Sequence, residues 1–246
     1  MACGFHWLAL RPKPGDLEEF YKRSAAMTKW ATIKSGNVDN DRQNRKYSFF
    51  YDQITYRGVD SVLDVGCGSG RFLAGLPEDC DGMGVEPNED SARSCDTPVV
   101  DCSSKLTGKY DLITYMGVLE HLEDPREVIK QYEEFASEEG LVGICVPNIE
   151  SLAFKIIGGR ICTICPQHLY YFSKKSLDDM MLQCGYCPVE WQTVEAELQA
   201  IIKMEKYNDP YLDTGWEYEH DTYTRAGILN KNQGAKILAL YRKAYP

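Results

Sequence analysis

No apolar stretch in these 246 residues is long enough to span a membrane. The opening MACGFHWLALRPKP has no basic start followed by a long apolar run, so it does not read as an export signal. The expectation is a cytoplasmic chain whose ten cysteines stay reduced. In that setting they serve first as small core residues, then as metal ligands or reactive thiols. Positive charge is short as well: 27 Lys and Arg stand against 37 Asp and Glu, a formal net charge of -10. A protein that meets a nucleic-acid backbone usually shows a basic face, so neither nucleic acid nor membrane is an expected partner. No repeat or low-complexity tract breaks the chain. What is present is ordinary for a globular protein, 43% hydrophobic and 26% charged residues. The length suits one α/β domain with embellishments.

The first 57 residues read as helical, with DLEEFYKRSA (16–25) and RQNRKYSFFYDQI (42–54) separated by a turn-rich break. From Ser61 short apolar runs alternate with helical patterns: SVLDV (61–65), GMGVE (82–86), TPVVD (97–101), YDLITYM (110–116) and GLVGICVP (140–147). Asp124 and Pro125 mark the N-cap and first turn of a helix, and Gly140 is read as the stop beyond it. CPVEWQTVEA (187–196) and AKILALYRK (235–243) are two further strands, with helical LQAIIKMEKY (198–207) between them. Strands alternating with helices predict a doubly wound, mostly parallel seven-stranded α/β sheet of Rossmann-like type. Residues 1–57 would form a helical cover, 58–246 the main domain, and 197–234 a substrate-side insertion containing His220 and Tyr223.

The glycine loop is defined by a missing residue. VLDVGCGSGRFL (62–73) has glycines at 66, 68 and 70, but Arg71 stands where the dinucleotide fingerprint needs its third glycine. The loop is one residue tighter, follows a strand carrying Asp64, and allows close backbone approach to a ligand. Glu86 ends the next strand, where an acid can accept bonds from both hydroxyls of a ribose. Asp101 and Cys102 follow the third strand, where an adenine edge would lie. The pattern suits an adenosine without a pyrophosphate.

DVGCGSG, VEPN and YDLITYMGVLEHLEDP, in that order at strand ends, resemble the class I S-adenosylmethionine-dependent methyltransferases. The resemblance implies S-adenosyl-L-methionine as cofactor, held by Asp64, Gly66, Cys67, Gly68, Gly70, Glu86, Pro87, Asp101, Cys102, Met116 and Gly117. Tyr115, Met116 and Gly117 would flank the sulfonium. His121 and Glu120 would lie over the cofactor, His121 either as a general base or as a shaper of the pocket.

Two C-x-x-C pairs, Cys162/Cys165 and Cys184/Cys187, have eighteen residues between them, a zinc-ribbon spacing. Helix periodicity argues otherwise. Leu177, Met180, Met181 and Cys184 form one apolar stripe, Ser176 and Asp179 resemble a capping pair, and Gly185 suits the helix end. Cys184 is therefore expected in a core, and no metal is expected. The stretch HLYYFSKKSLDDMMLQCGY resembles a segment after the fifth strand of small-molecule, sugar-type methyltransferases, which puts His168 on a loop facing the methyl acceptor. His168 is then either a base or a loop-bonding histidine. Cys165 and Gln167 replace the tyrosine and glutamate that sugar-carbon methylators carry. The N-terminus resembles the tail of a zinc module but keeps only Cys3 of its cysteines. The N-P-P-Y motif of nucleic-acid amino methylators is missing. The expected acceptor is a small molecule, a hydroxyl of a sugar, sugar nucleotide or phenol. The alternatives are a protein methyltransferase, or a non-catalytic module that binds cofactor or zinc.

Overall fold

The fold is described from a computed structural model covering residues 6–9, 11–13, 15–23, 37–202 and 223–244. Strand β1 (His6–Trp7) and helices α1 (Asp16–Arg23) and α2 (Asn37–Arg57) precede the sheet. Then follow β2 (Ser61–Val65), β3 (Asp81–Val85), α3 (Glu89–Ala92), β4 (Val99–Val100), β5 (Tyr110–Met116), α4 (Pro125–Glu133) and β6 (Ala136–Pro147). The chain ends with α5 (Leu152–Ile157), β7 (Tyr170–Tyr171), α6 (Lys174–Gln183), β8 (Tyr186–Val194), α7 (Arg225–Asn230) and β9 (Lys236–Lys243).

Seven strands form one sheet in the order β4-β3-β2-β5-β6-β9-β8. Strands β4 to β6 pair in parallel, and β9 runs antiparallel to both neighbours. The strand order reverses between β2 and β5, so a crevice opens there at their carboxyl ends. Along β9 the core alternates with period two: Ile237, Ala239 and Tyr241 face one side, Leu238 and Leu240 the other. One side packs Ile129 and Tyr132 of α4 and Leu177, Met180 and Met181 of α6. The other packs Tyr47, Phe49, Phe50 and Ile54 of α2. Gly143 permits this second contact, since a Cβ there would sit 3.0 Å from the Phe50 ring. A third cluster of Ala153, Ile161, Ala196, Ile201 and Ile228 joins the segments beside the sheet. Among the described residues no helix is long and apolar enough to cross a membrane.

The seven strands and their mostly parallel order agree with the sequence reading, but three local readings change. Gly140 lies inside β6, not beyond the helix. The pairing with β5 jumps from Tyr110↔Ala136 to Leu112↔Leu141, and Gly140 closes the resulting bulge, where a Cβ would press within 2.9 Å of the Ser137 carbonyl. Helix α6 starts one turn earlier than Ser176 and Asp179 suggested. Ser173 is its N-cap, accepting from the Ser176 amide at 3.1 Å, and Ser176 returns the bond to the Ser173 amide at 3.0 Å. Helix α2 begins at Asn37, earlier than expected. Residues 198–202 are helical, while the rest of that expected helix, with His220 and Cys3, lies outside the described residues.

Candidate active site

Strand β2 delivers its chain into the loop 66–70, and all three glycines there have positive φ: Gly66 +73°, Gly68 +57°, Gly70 +71°. L-residues with side chains rarely hold that conformation, which is why the spacing is glycine-rich. The Gly66 and Cys67 amides donate to the Val85 carbonyl at 2.7 and 3.1 Å, pinning the loop to β3. A Cβ on Gly68 would meet nothing within 4 Å, so this stretch of backbone borders open space. A Cβ on Gly66 would lie 2.7 Å from Val118, placing the loop after β5 directly against it.

Glu86 spans the crevice floor. Its carboxylate accepts from the Gly68 amide at 2.9 Å and the Asn88 amide at 2.8 Å, one on each oxygen. Burial raises its pKa, partly offset by those two donors. Pro87 beside it is exposed. Asp101 and Cys102 lie just beyond β4 and are exposed; Asp101 pairs with Lys105 at 2.8 Å and Cys102 lies 3.1 Å from Ser104. Met116 is half-buried at the end of β5, and Gly117 (φ +79°) donates to the Cys145 carbonyl at 2.8 Å. The residues named from the sequence therefore do gather at one end of β2, β3, β4 and β5.

Three of them turn their side chains elsewhere. Asp64 is 1% exposed and accepts from Thr114 Oγ1 at 2.7 Å. Burial pushes its carboxyl up to about 7, against the Thr114 bond, with the Glu86 charge adding to the rise. Cys67 points its sulfur into the core, where a Cβ on Gly84 would approach it to 2.5 Å; only its backbone borders the crevice. Tyr115 is 1% exposed and packs in the core behind the sheet, so Met116 and Gly117, without Tyr115, face the crevice.

Beyond β5 the chain makes a short 3-10 turn, Leu119–His121. Glu120 is 1% exposed, and its Oε2 has no hydrogen-bond partner. His121 Nε2 lies 4.0 Å from Glu120 Oε1, and its Nδ1 lies 3.0 Å from the Gln167 carbonyl. His168 places Nδ1 2.7 Å from the Thr163 carbonyl, and the two imidazole centroids are 4.7 Å apart, edge to face. Burial lowers the His168 pKa to about 4, with Glu120 opposing the shift and His121 adding to it. The neutral ring therefore carries its proton on Nδ1, toward the carbonyl, and leaves the Nε2 lone pair free.

Sequence reading missed Tyr21. Its hydroxyl lies 2.7 Å from His121 Nδ1, and its carbonyl accepts from Asn88 Nδ2 at 2.8 Å. Gly15 donates to Glu123 at 2.7 Å, so α1 rests on the loops after both β3 and β5. Strand β1 pairs with β7, His6 opposite Tyr171 and Trp7 opposite Tyr170. No local pattern signals these contacts, because the partners are 67 or more residues apart. Tyr170 and Phe172 are taken up by packing: Tyr170 lies under Arg11 and donates to the Glu123 carbonyl at 2.9 Å, and Phe172 is fully buried. Cys184 sits in the core against α6, while Cys162 and Cys187 are exposed.

A family described as "Methyltransferase domain" matches residues 24–190. A ubiquinone biosynthesis O-methyltransferase of Bordetella avium (strain 197N) is 29% identical over 116 residues, covering 40% of this chain and 48% of that protein. A protein of the same description from Acinetobacter baumannii (strain AYE) is 27% identical over 164 residues, 59% of this chain and 69% of the relative. The chain thus spans about half the length of the first of these relatives. Among solved structures, the plantazolicin methyltransferase BpumL in complex with S-adenosylhomocysteine superposes with a TM-score of 0.59 at 15% identity, covering 93% of this chain and 94% of that one. A SAM-dependent methyltransferase from Archaeoglobus fulgidus gives 0.57 at 20% identity, covering 89% and 100%. At these identities the superpositions speak for the fold.

Proposed function

Since the chain belongs to the methyltransferase domain family, of the class I S-adenosylmethionine-dependent type, we propose that it methylates a hydroxyl oxygen of a small-molecule acceptor, with a phenol favoured over a sugar. When bound, S-adenosylmethionine supplies an electrophilic methyl group. The crevice suits the cofactor: the Gly68 backbone borders open space, and the Glu86 carboxylate lies beside it. Gly66, Gly68 and Gly70 would provide the cradle, Glu86 the ribose contact, and Met116 and Gly117 the wall toward the sulfonium. Asp101 and Cys102 would border the adenine. Asp64 acts indirectly, through its bond to Thr114.

The observation that carries the acceptor assignment is the cluster of Glu120, His121 and His168, one turn from Val118, which itself touches Gly66. An imidazole whose Nδ1 is engaged by a carbonyl presents Nε2 as a proton acceptor. His168 meets that description, with His121 beside it, so both are assigned to handling the acceptor's proton. Imidazole is a better match for a phenol, which titrates near 10, than for the far less acidic hydroxyl of a sugar. The two relatives described above are also named for O-methylation in ubiquinone synthesis. The first 57 residues serve as a cover, with α1 closing the acceptor side, and 197–234 as a substrate-side insertion.

The test is a panel of phenols and sugar nucleotides assayed with labelled cofactor, beside S-adenosylhomocysteine titrations. Glu86→Ala should abolish cofactor binding. His168→Ala should leave it intact and lower kcat by roughly 10²–10⁴. Normal turnover by His168→Ala would remove that residue from the mechanism. Labelling of a protein in extract, with no small acceptor found, would favour a protein methyltransferase.

A further inference from the structure

We propose that Glu120, His121 and His168 form a binding site for a divalent transition cation of the zinc type, and that the acceptor hydroxyl binds on that ion. The three residues each offer one ligand atom, and these atoms lie within 4.8 Å of one another. Two imidazoles and one carboxylate make a three-ligand site that leaves positions open, which is the arrangement of catalytic metal centres.

Three observations point to an ion in addition to the choice of residues. Glu120 is 1% exposed, and its Oε2 is buried with no hydrogen-bond partner, a costly state for a carboxylate that a cation would relieve. Each histidine has Nδ1 within hydrogen-bond reach of a backbone carbonyl, Gln167 for His121 and Thr163 for His168, and His121 Nδ1 also meets the Tyr21 hydroxyl at 2.7 Å. In both rings Nδ1 is thus engaged by an outer partner of the kind that orients a metal-binding imidazole with Nε2 toward the ion. The Leu169 amide donates to the Glu120 carbonyl at 2.7 Å, so the loop carrying His168 is tied to the turn carrying Glu120. The present spacing, 4.0 Å from Glu120 Oε1 to His121 Nε2, is wider than ligands at about 2.0–2.2 Å from one ion would show. Glu120 must therefore swing inward, and its unpartnered oxygen leaves it free to do so.

The inference rests on the methyltransferase reading and deepens it. A hydroxyl bound to the ion becomes more acidic. Its O–H bond breaks, the electron pair stays on oxygen, and the proton passes to water. With the ion in place His168 is a ligand, and the proton no longer goes to its Nε2.

The test uses the full chain, stripped with a chelator and titrated with Co²⁺ and separately with Zn²⁺. The expected result is visible ligand-field absorption saturating at one Co²⁺ per chain, with Zn²⁺ displacing it. Glu120→Gln and His168→Ala should each weaken Co²⁺ binding by at least tenfold. Retained S-adenosylhomocysteine affinity would show that these variants remain folded. Should Glu120→Gln fail to fold, His121→Ala replaces it. Absence of a saturating band in the wild type, or an unchanged band in His168→Ala, would overturn the proposal. Either failure leaves methyl transfer itself measurable, so loss of the ion site and loss of the enzyme reading are told apart.

Discussion

Asp64 is a carboxyl at odds with its surroundings. Its carboxyl is held near 7 by burial, where an unfolded chain would titrate it near 3.9. A folded pKa above the unfolded one means that the fold binds the proton more tightly. Its stability is then fully present at low pH and is lost as pH rises through about 4 to 7. We expect urea midpoints of the wild type to fall over this window. Asp64→Asn keeps an acceptor for Thr114 and carries no charge, so it should lack this component and be more stable at pH 8 by on the order of 4 kcal/mol. Equal pH slopes for the two proteins would refute the assignment. The sequence marked Asp64 as important but placed it on the ligand. Its burial and the bond to Thr114, fifty residues away, put the side chain behind the loop.

At the level of elements, α6 gives a simple test. Ser173 and Ser176 cap it reciprocally, and Ser173→Ala should cost about 1 kcal/mol in thermal or urea unfolding. The helix itself was legible from its apolar stripe, but its start was not. Ser176 and Ser173 are both plausible caps in SKKSLDD, and only the closed pair of hydrogen bonds decides between them. Helix α1 was legible as a helix from Asp16, while its place was not. Its contacts to Asn88 and His121, and that of Gly15 just before it to Glu123, depend on loops distant in sequence. If α1 covers the site, S-adenosylhomocysteine should slow hydrogen exchange across Leu17–Arg23. Exchange unaffected by ligand would argue that the helix does not respond to the crevice.

For the whole molecule, the mostly parallel sheet and the crevice at its strand ends were legible because short apolar runs, several ending in glycine or an acid, alternate with helical patterns. In β9 the core contacts alternate with period two. The cluster of Glu120, His121 and His168 was legible only in part, since two of its members fall after β5 and the third after β6. The fold, which pairs those ends, brings them together. Ligand linkage provides a global test. Saturation at 100 times Kd adds about 2.7 kcal/mol to stability, which for a domain of this size should raise Tm by roughly 5–10 °C. S-adenosylhomocysteine should give that shift in the wild type and none in Glu86→Ala.

Tyr21 meets His121 across a sequence separation of 100 residues, and Gly15 meets Glu123 across 108. During synthesis at about 5–20 residues per second, α1 waits on the order of 5–20 s for the surface that receives it. Of the described helices, the first in chain order is thus among the last to find its place. A bulky insertion just before α1 would burden this late step, and would do so beside the cluster of Glu120, His121 and His168.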